Sequence, residues 1–167
     1  MIWFTGDYHL GHARIIEYCN RPFKDVDEMN ESIIANHNRV VKPEDAVFFL
    51  GDFCFANIRT YWERLNGNII WIEGNHDRRI SFPYRLRNAT VRVNGKRAYM
   101  THSEINVTDE IRDSVDIVLV GHSHNAWTFK NKCINVGCDN WKFTPIKFDY
   151  MMRRYKKWGR ENGIRVV

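Results

Sequence analysis

The chain reads as an α/β protein in which two packed sheets carry helices on their outer faces. Two observations lead there. The first half alternates short apolar runs with helical patterns, and the second half turns to antiparallel hairpin signals. Residues 2–5, 46–50, 69–72 and 117–120 are brief apolar runs ending in glycine or polar residues, as expected of strands buried on both faces. Between the first two, Asp25 predicts the cap of a helix with Met29, Ile33, Ile34, His37, Val40 and Val41 on one stripe, stopped by Lys42-Pro43. His37 is expected to be packed on or beside that stripe. Residues 58–65 read as a second helix, and Asn66-Gly67 turns the chain into the next strand. Residues 90–93 and 97–101 flank Asn94-Gly95, the strongest short hairpin signal; 127–130 can pair with 133–136 across Asn131-Lys132. Residues 151–165 alternate Met151, Met152, Tyr155 and Trp158 with Arg153, Arg154, Lys156, Lys157 and Arg160, which reads as a packed amphipathic helix with a solvated basic face.

At 167 residues the chain is expected to form one domain, residues 1–167, with a core that needs no disulfides. A hydrophobic fraction of 44% with 27% charged residues excludes the disordered and membrane classes. Asp7 interrupts the first apolar run too early for a signal peptide or a membrane span. Cys19, Cys54, Cys133 and Cys138 are too few and irregular for a disulfide framework, so reduced buried thiols and a cytoplasmic location are expected, with no membrane partner. A net charge of +5 favours phosphate-bearing partners weakly. Oligomeric state is not encoded in any pattern.

Five polar clusters each follow an apolar run: Asp7-Tyr8-His9, Gly51-Asp52, Gly74-Asn75-His76-Asp77, Thr101-His102-Ser103 and Gly121-His122-Ser123-His124. Five of the seven histidines lie inside them. Loops leaving the carboxyl ends of strands in an α/β layout converge on one rim, where ligands bind. Asp7, His9, Asp52, Asn75, His102, His122 and His124 form a mixed oxygen and imidazole set suited to Mn²⁺, Fe, Zn²⁺ or Ni²⁺ rather than Ca²⁺. Seven donors exceed the needs of one tetrahedral ion and suit two ions sharing a carboxylate.

In this order, D-x-H, G-D, G-N-H-D, a lone His and G-H-x-H resemble the calcineurin-like metallophosphoesterase superfamily, over the stretch from Asp7 to His124. Gly11-His12 after the first cluster resembles its small bacterial and phage members. The resemblance implies a four-layer α-β-β-α sandwich, two mixed sheets flanked by helices. It also implies two divalent metal ions, Mn²⁺ foremost: Asp7, His9 and His124 on the first, Asn75, His102 and His122 on the second, and Asp52 bridging. A water held between the ions would be the nucleophile, and His76 would donate a proton to the leaving oxygen. Asp77 either orients His76 or caps a turn.

His12, Arg78 and Arg79 are candidate phosphate or leaving-group contacts, each with a solvated surface role as the alternative. Phe53 and Phe55 are core by default, although one could stack on a substrate ring; Trp127 and Trp141 share that ambiguity. Phe53-Cys54-Phe55 replaces the acidic, Arg-bearing motif of the superfamily's serine/threonine protein phosphatases, so that activity is not expected. Glu104, two residues after His102, is a candidate for the pocket lining. The expected function is metal-dependent phosphoesterase activity, foremost a phosphodiesterase on a small nucleotide-like substrate. A nuclease or nucleic-acid end-processing phosphatase is the nearest alternative, and a non-catalytic binding module comes from a different class. A structural zinc site on His122, His124, Cys133 and Cys138 is disfavoured by its spacing.

Overall fold

The computed structural model describes residues 1–77 and 85–166. The first sheet runs in the order β10-β1-β2-β3-β4, from Ile146–Lys147 (β10), Ile2–Thr5 (β1), Ala46–Phe49 (β2), Asn68–Ile72 (β3) and Arg85–Leu86 (β4). β1 to β4 are parallel and β10 is antiparallel at the edge, so the sheet is mixed. The second sheet runs β5-β6-β7-β9-β8, from Asn88–Val93 (β5), Lys96–Thr101 (β6), Ile117–Val120 (β7), Cys133–Asn135 (β9) and Phe129–Lys130 (β8). There β6, β7 and β9 are parallel, with antiparallel β5 and β8 outside them.

Side chains alternate across these strands with period two, which is why both faces of the central ones are apolar. Phe4, Phe48, Leu50 and Ile72 of the first sheet meet Met100, Ile117, Leu119 and Ile134 of the second in the main core. On the other face of the first sheet, Phe49 and Trp71 pack on α1 (Arg14–Tyr18), α2 (Val26–Val40) and α3 (Arg59–Trp62), through Ile15, Met29, Ile33 and Tyr61. Val118 and Val120 on the far face of the second sheet pack under Val107, Ile111 and Val115, around α4 (Asp109–Ser114). The order helix, sheet, sheet, helix is the predicted four-layer arrangement.

The final helix, α5 (Phe148–Glu161), departs from it. Phe148, Met151, Met152 and Tyr155 join the core between the sheets, while Arg153, Arg154, Lys156, Lys157 and Arg160 stay exposed. It ends four residues before the predicted limit, where Gly163 takes φ +66° and the Ile164 N–H returns to the Gly159 carbonyl. α2 begins where Asp25 accepts from the Glu28 N–H. The Asn94-Gly95 turn has φ of +49° and +79°, as a two-residue hairpin of primed type demands. No helix among the described residues is long and apolar enough to cross a membrane.

His37 is wholly buried, with Nδ1 2.8 Å from the Tyr8 hydroxyl and Nε2 2.8 Å from the Asn66 carbonyl. That pattern assigns the ring proton to Nε2, donating to the carbonyl, while Nδ1 accepts from tyrosine. Burial lowers its pKa to about 4. The unfolded chain therefore binds this proton before the folded one, and the stability contribution present above pH 6.5 is lost as pH falls toward 4. Chemical denaturation between pH 7 and 4 is expected to show falling stability, with a shallower slope in His37→Gln.

Candidate metal centre

Parallel pairing does not stop where the first strands end. The Asp7 N–H donates to the Gly51 carbonyl, His9 to Asp52, Leu10 to Phe53 and Phe55 back to Leu10, so the exits of β1 and β2 run side by side. The two sheets meet at this rim: the Cys138 N–H donates to the Gly6 carbonyl, and the His102 imidazole to the Leu50 carbonyl at 2.7 Å. Asp7, His9, Asp52, His122 and His124 all have positive φ, between +43° and +68°. Left-handed backbone costs a non-glycine residue about 1 kcal/mol, and its concentration on five candidate ligands marks a site that surrounding contacts hold in place. Gly51, at φ +86°, has no alternative: a Cβ there would lie 2.6 Å from the Gly74 Cα.

Two clusters of potential ligands result. Donor atoms of Asp7, His9 and His124 lie within 4.8 Å of one another, as do those of Asp52, His102 and His122. Asp52 joins the two clusters. Its Oδ1 accepts the His76 N–H at 3.0 Å, while Oδ2 lies 3.4 Å from His102 Nε2 and 3.5 Å from His9 Nε2. Asn75 is exposed, with Oδ1 3.0 Å from His102 Nε2. His9 is 2% exposed and both of its ring nitrogens lack a hydrogen-bond partner among the described residues. Orphaned buried nitrogens are costly unless something ligates them, and a divalent cation fits this donor set.

The electrostatics agree. Burial raises Asp7 to about 6, against the opposing charges of His102 and His124. Burial would lower both histidines, but contact with Asp52 and the Asp7 charge carries His102 to about 9, and contact with Asp139 carries His124 to about 10. His9 lies 3.5 Å from Asp52 Oδ2, but burial lowers it by more than that carboxylate raises it, and the ring is driven strongly toward the neutral form. The buried carboxylates thus demand positive charge at the rim, from protons or from metal ions.

Asp77 answers differently from the expectation that it orients His76. Its carboxylate is wholly buried and accepts from the Asp52, Phe53 and Gly74 N–H groups and the Trp71 indole, at 2.8 to 3.2 Å, and His76 is not among these donors. A carboxylate saturated by three amides braces the β2 and β3 exits, matching the turn-capping alternative. Phe53 is not at the cleft either: it is fully buried against Phe49, Trp62 and Trp71, because its side chain follows the helix-facing side of β2. Phe55, two residues on, is 45% exposed and stacks on His12 with ring centroids 4.1 Å apart. His76 reaches the cleft with a 46% exposed side chain, Nε2 being 3.9 Å from Asp52 Oδ2. Arg78 and Arg79 lie outside the described residues. Trp141 is core, its indole donating to the Asn135 carbonyl, whereas Trp127 is half-buried under Lys130. Glu104 accepts from Ser123 at 3.1 Å, tying two ligand loops together. Cys133 and Cys138 sit in different cores, which removes the zinc alternative.

Sequence reasoning missed Arg21 and Asp139. Their side chains are 0% and 3% exposed and form a bidentate pair at 2.8 and 2.9 Å. Arg21 also donates to the Asp7 and Tyr8 carbonyls, and Asp139 Oδ2 sits 2.9 Å from His124 Nδ1. Gly137-Cys138-Asp139 follows the β9 run as the other clusters follow theirs, a sixth instance of the same signal. A carboxylate on the far nitrogen fixes the ring and tautomer of a metal-binding histidine. Asp139→Asn is expected to weaken Mn²⁺ binding roughly 10-fold to 100-fold in calorimetric titration, with far-UV circular dichroism retained. Unchanged affinity would remove His124 from the ligand set or Asp139 from its support.

A family model described as the calcineurin-like phosphoesterase superfamily domain matches residues 2–156. The uncharacterized protein MJ1445 of Methanocaldococcus jannaschii is 34% identical over 168 residues, covering 93% of this chain and 92% of that one. The gene 66 protein of Mycobacterium phage L5 is 33% identical over 81 residues, 45% of this chain and 39% of its own. Among solved structures, the protein of unknown function AQ665 from Aquifex aeolicus superposes with a TM-score of 0.73 at 24% identity, covering 92% of this chain and 98% of that one, a likeness of fold. With nearly all of the sequence matched and the two-sheet architecture in place, the chain belongs to the calcineurin-like phosphoesterase superfamily.

Proposed function

We propose that the protein is a metal-dependent phosphoesterase, foremost a phosphodiesterase acting on a small nucleotide-like substrate. The observation that carries this is Asp52, whose Oδ2 stands between His9 of one donor cluster and His102 of the other. Asp7, His9 and His124 would hold one divalent ion and Asn75, His102 and His122 a second, with Asp52 shared; Mn²⁺ suits the donors best, and Fe, Zn²⁺ or Ni²⁺ are compatible. Such ions supply charge that neutralises a phosphate and acidifies water.

The chain's own residues do the rest. Asp52 is held by the His76 N–H on one oxygen, which keeps the other directed at the shared position. His102 is fixed by its bond to Leu50, and His124 by Asp139, so neither ring must reorganise when substrate arrives. His76 has an exposed ring with no hydrogen-bond partner among the described residues, and it is free to carry a proton to the departing alkoxide. Because Asp77 is engaged elsewhere, the described groups that face that ring are Phe55 and His9, 4.9 and 5.5 Å away between centroids, and Asp52 Oδ2 at 3.9 Å.

Metal-stripped protein reloaded with Mn²⁺ should hydrolyse phosphodiesters in a panel of mono- and diesters, cyclic nucleotides, DNA and RNA. Turnover of nucleic acid alone would favour the nuclease alternative, and turnover of nothing the binding-module one. Asp52→Asn is expected to lose bound metal, counted by elemental analysis, together with activity. His76→Ala should keep its metal and lose roughly 10²-fold to 10⁴-fold in rate on alkyl esters, with little effect on nitrophenyl esters. Equal damage to both ester types would remove the proton-donor role.

A further inference from the structure

The candidate centre has two unlike flanks. Beside His102 and His122 opens a cavity of about 810 Å³ of mixed lining, with Arg87, Asn88, Ser103 and Asn106 alongside Tyr99 and Ile105. Beside His9 and His76 the surface is aromatic instead. Phe55 lies nearly parallel to His12, at 4.1 Å and 18°, and to His9, at 5.5 Å and 22°. Tyr18, 66% exposed, meets the outer edge of His12 with centroids 6.3 Å apart.

Single exposed apolar side chains are ordinary, and several others exist on this surface. Phe55 differs in how its backbone is held and in what it adjoins. Its N–H donates to the Leu10 carbonyl at 2.8 Å, at the end of the paired run that positions His9. The loop carrying it closes on Gly11, where a Cβ would stand 3.2 Å from Ala56 Cβ. His76, the group assigned to the leaving oxygen, is 4.9 Å from the Phe55 ring. A fixed, partly exposed ring gains most from a flat partner, since stacking uses its whole face and tolerates any base.

The geometry points to Phe55, on its His12 support, as the subsite for the leaving group, and to a nucleoside as that group: the base stacks on Phe55 while its hydroxyl oxygen departs beside His76. The retained substituent of the diester then occupies the larger cavity of mixed lining on the opposite flank. Substrate polarity is thereby set by the difference between the two sides. This assignment rests on the phosphodiesterase function proposed above.

Two diesters separate the possibilities: thymidine 3′-methyl phosphate, which should release thymidine and leave methyl phosphate, and dimethyl phosphate, which releases methanol and leaves the same methyl phosphate. The Mn²⁺-loaded protein should prefer the first on the order of 10-fold to 100-fold in kcat/KM. In Phe55→Ala that ratio should fall to near one, with bound metal unchanged, and Phe55→Trp should restore it. Free thymidine should inhibit the wild-type protein more strongly than deoxyribose, and Phe55→Ala should erase the difference. A wild-type ratio near one, or a Phe55→Ala loss equal for both diesters, overturns the stacking subsite while leaving the phosphodiesterase intact. Hydrolysis of neither diester by wild-type protein overturns the phosphodiesterase and the subsite with it.

Discussion

Buried carboxylates that must find compensation inside the protein organise this rim. Asp7, Asp52, Asp77 and Asp139 are almost fully inaccessible, and an isolated ion in such surroundings would be prohibitively costly. Each is met by groups from a different strand exit. Asp77 collects amides from the β2 and β3 loops, Asp7 accepts the His122 N–H across the gap between sheets, and Asp139 binds Arg21, which itself holds the backbone of the first loop. The same bonds that satisfy the anions bind five loops into one surface. Removing any one partner leaves both an unpaired charge and an unbraced loop.

That bracing explains how strained backbone persists. Left-handed conformations at five candidate ligands would relax in an isolated loop, because each costs about as much as a single hydrogen bond returns. Here the backbone of β1 and β2 continues to pair beyond the strands, so the turns are fixed from both ends. The imidazoles are then oriented by acceptors behind them, Leu50 for His102 and Asp139 for His124. In the proposed metal centre, metal affinity and loop stability would be one property, since the groups that orient the candidate ligands also hold the loops together.

The architecture was legible to the extent that it depended on local rules. Strand burial, the Asp25 cap and the Asn94-Gly95 turn follow from period, side-chain chemistry and allowed φ, and each is where the sequence places it. The last helix was legible as amphipathic, yet which apolar surface it would cover was not, since a stripe states only that it needs a partner. Asp77 and Phe53 show the same limit. Both occupy suggestive positions beside a candidate ligand, and both turn inward, because neighbouring residues on a loop leave it in different directions.

By itself the sequence determined the strand exits, the candidate ligand types and their order along the chain, since these follow from residue identity and short-range periodicity. Only the tertiary structure decided that Asp52 stands between two clusters and that Asp77 braces instead of orienting. It alone joined Arg21 and Asp139, 118 residues apart, behind His124, and brought Phe55 rather than Phe53 to the cleft. The physical reason is the same in each case: where a side chain points depends on which distant group can satisfy its charge or bury its surface, and that partner is set by packing between sheets.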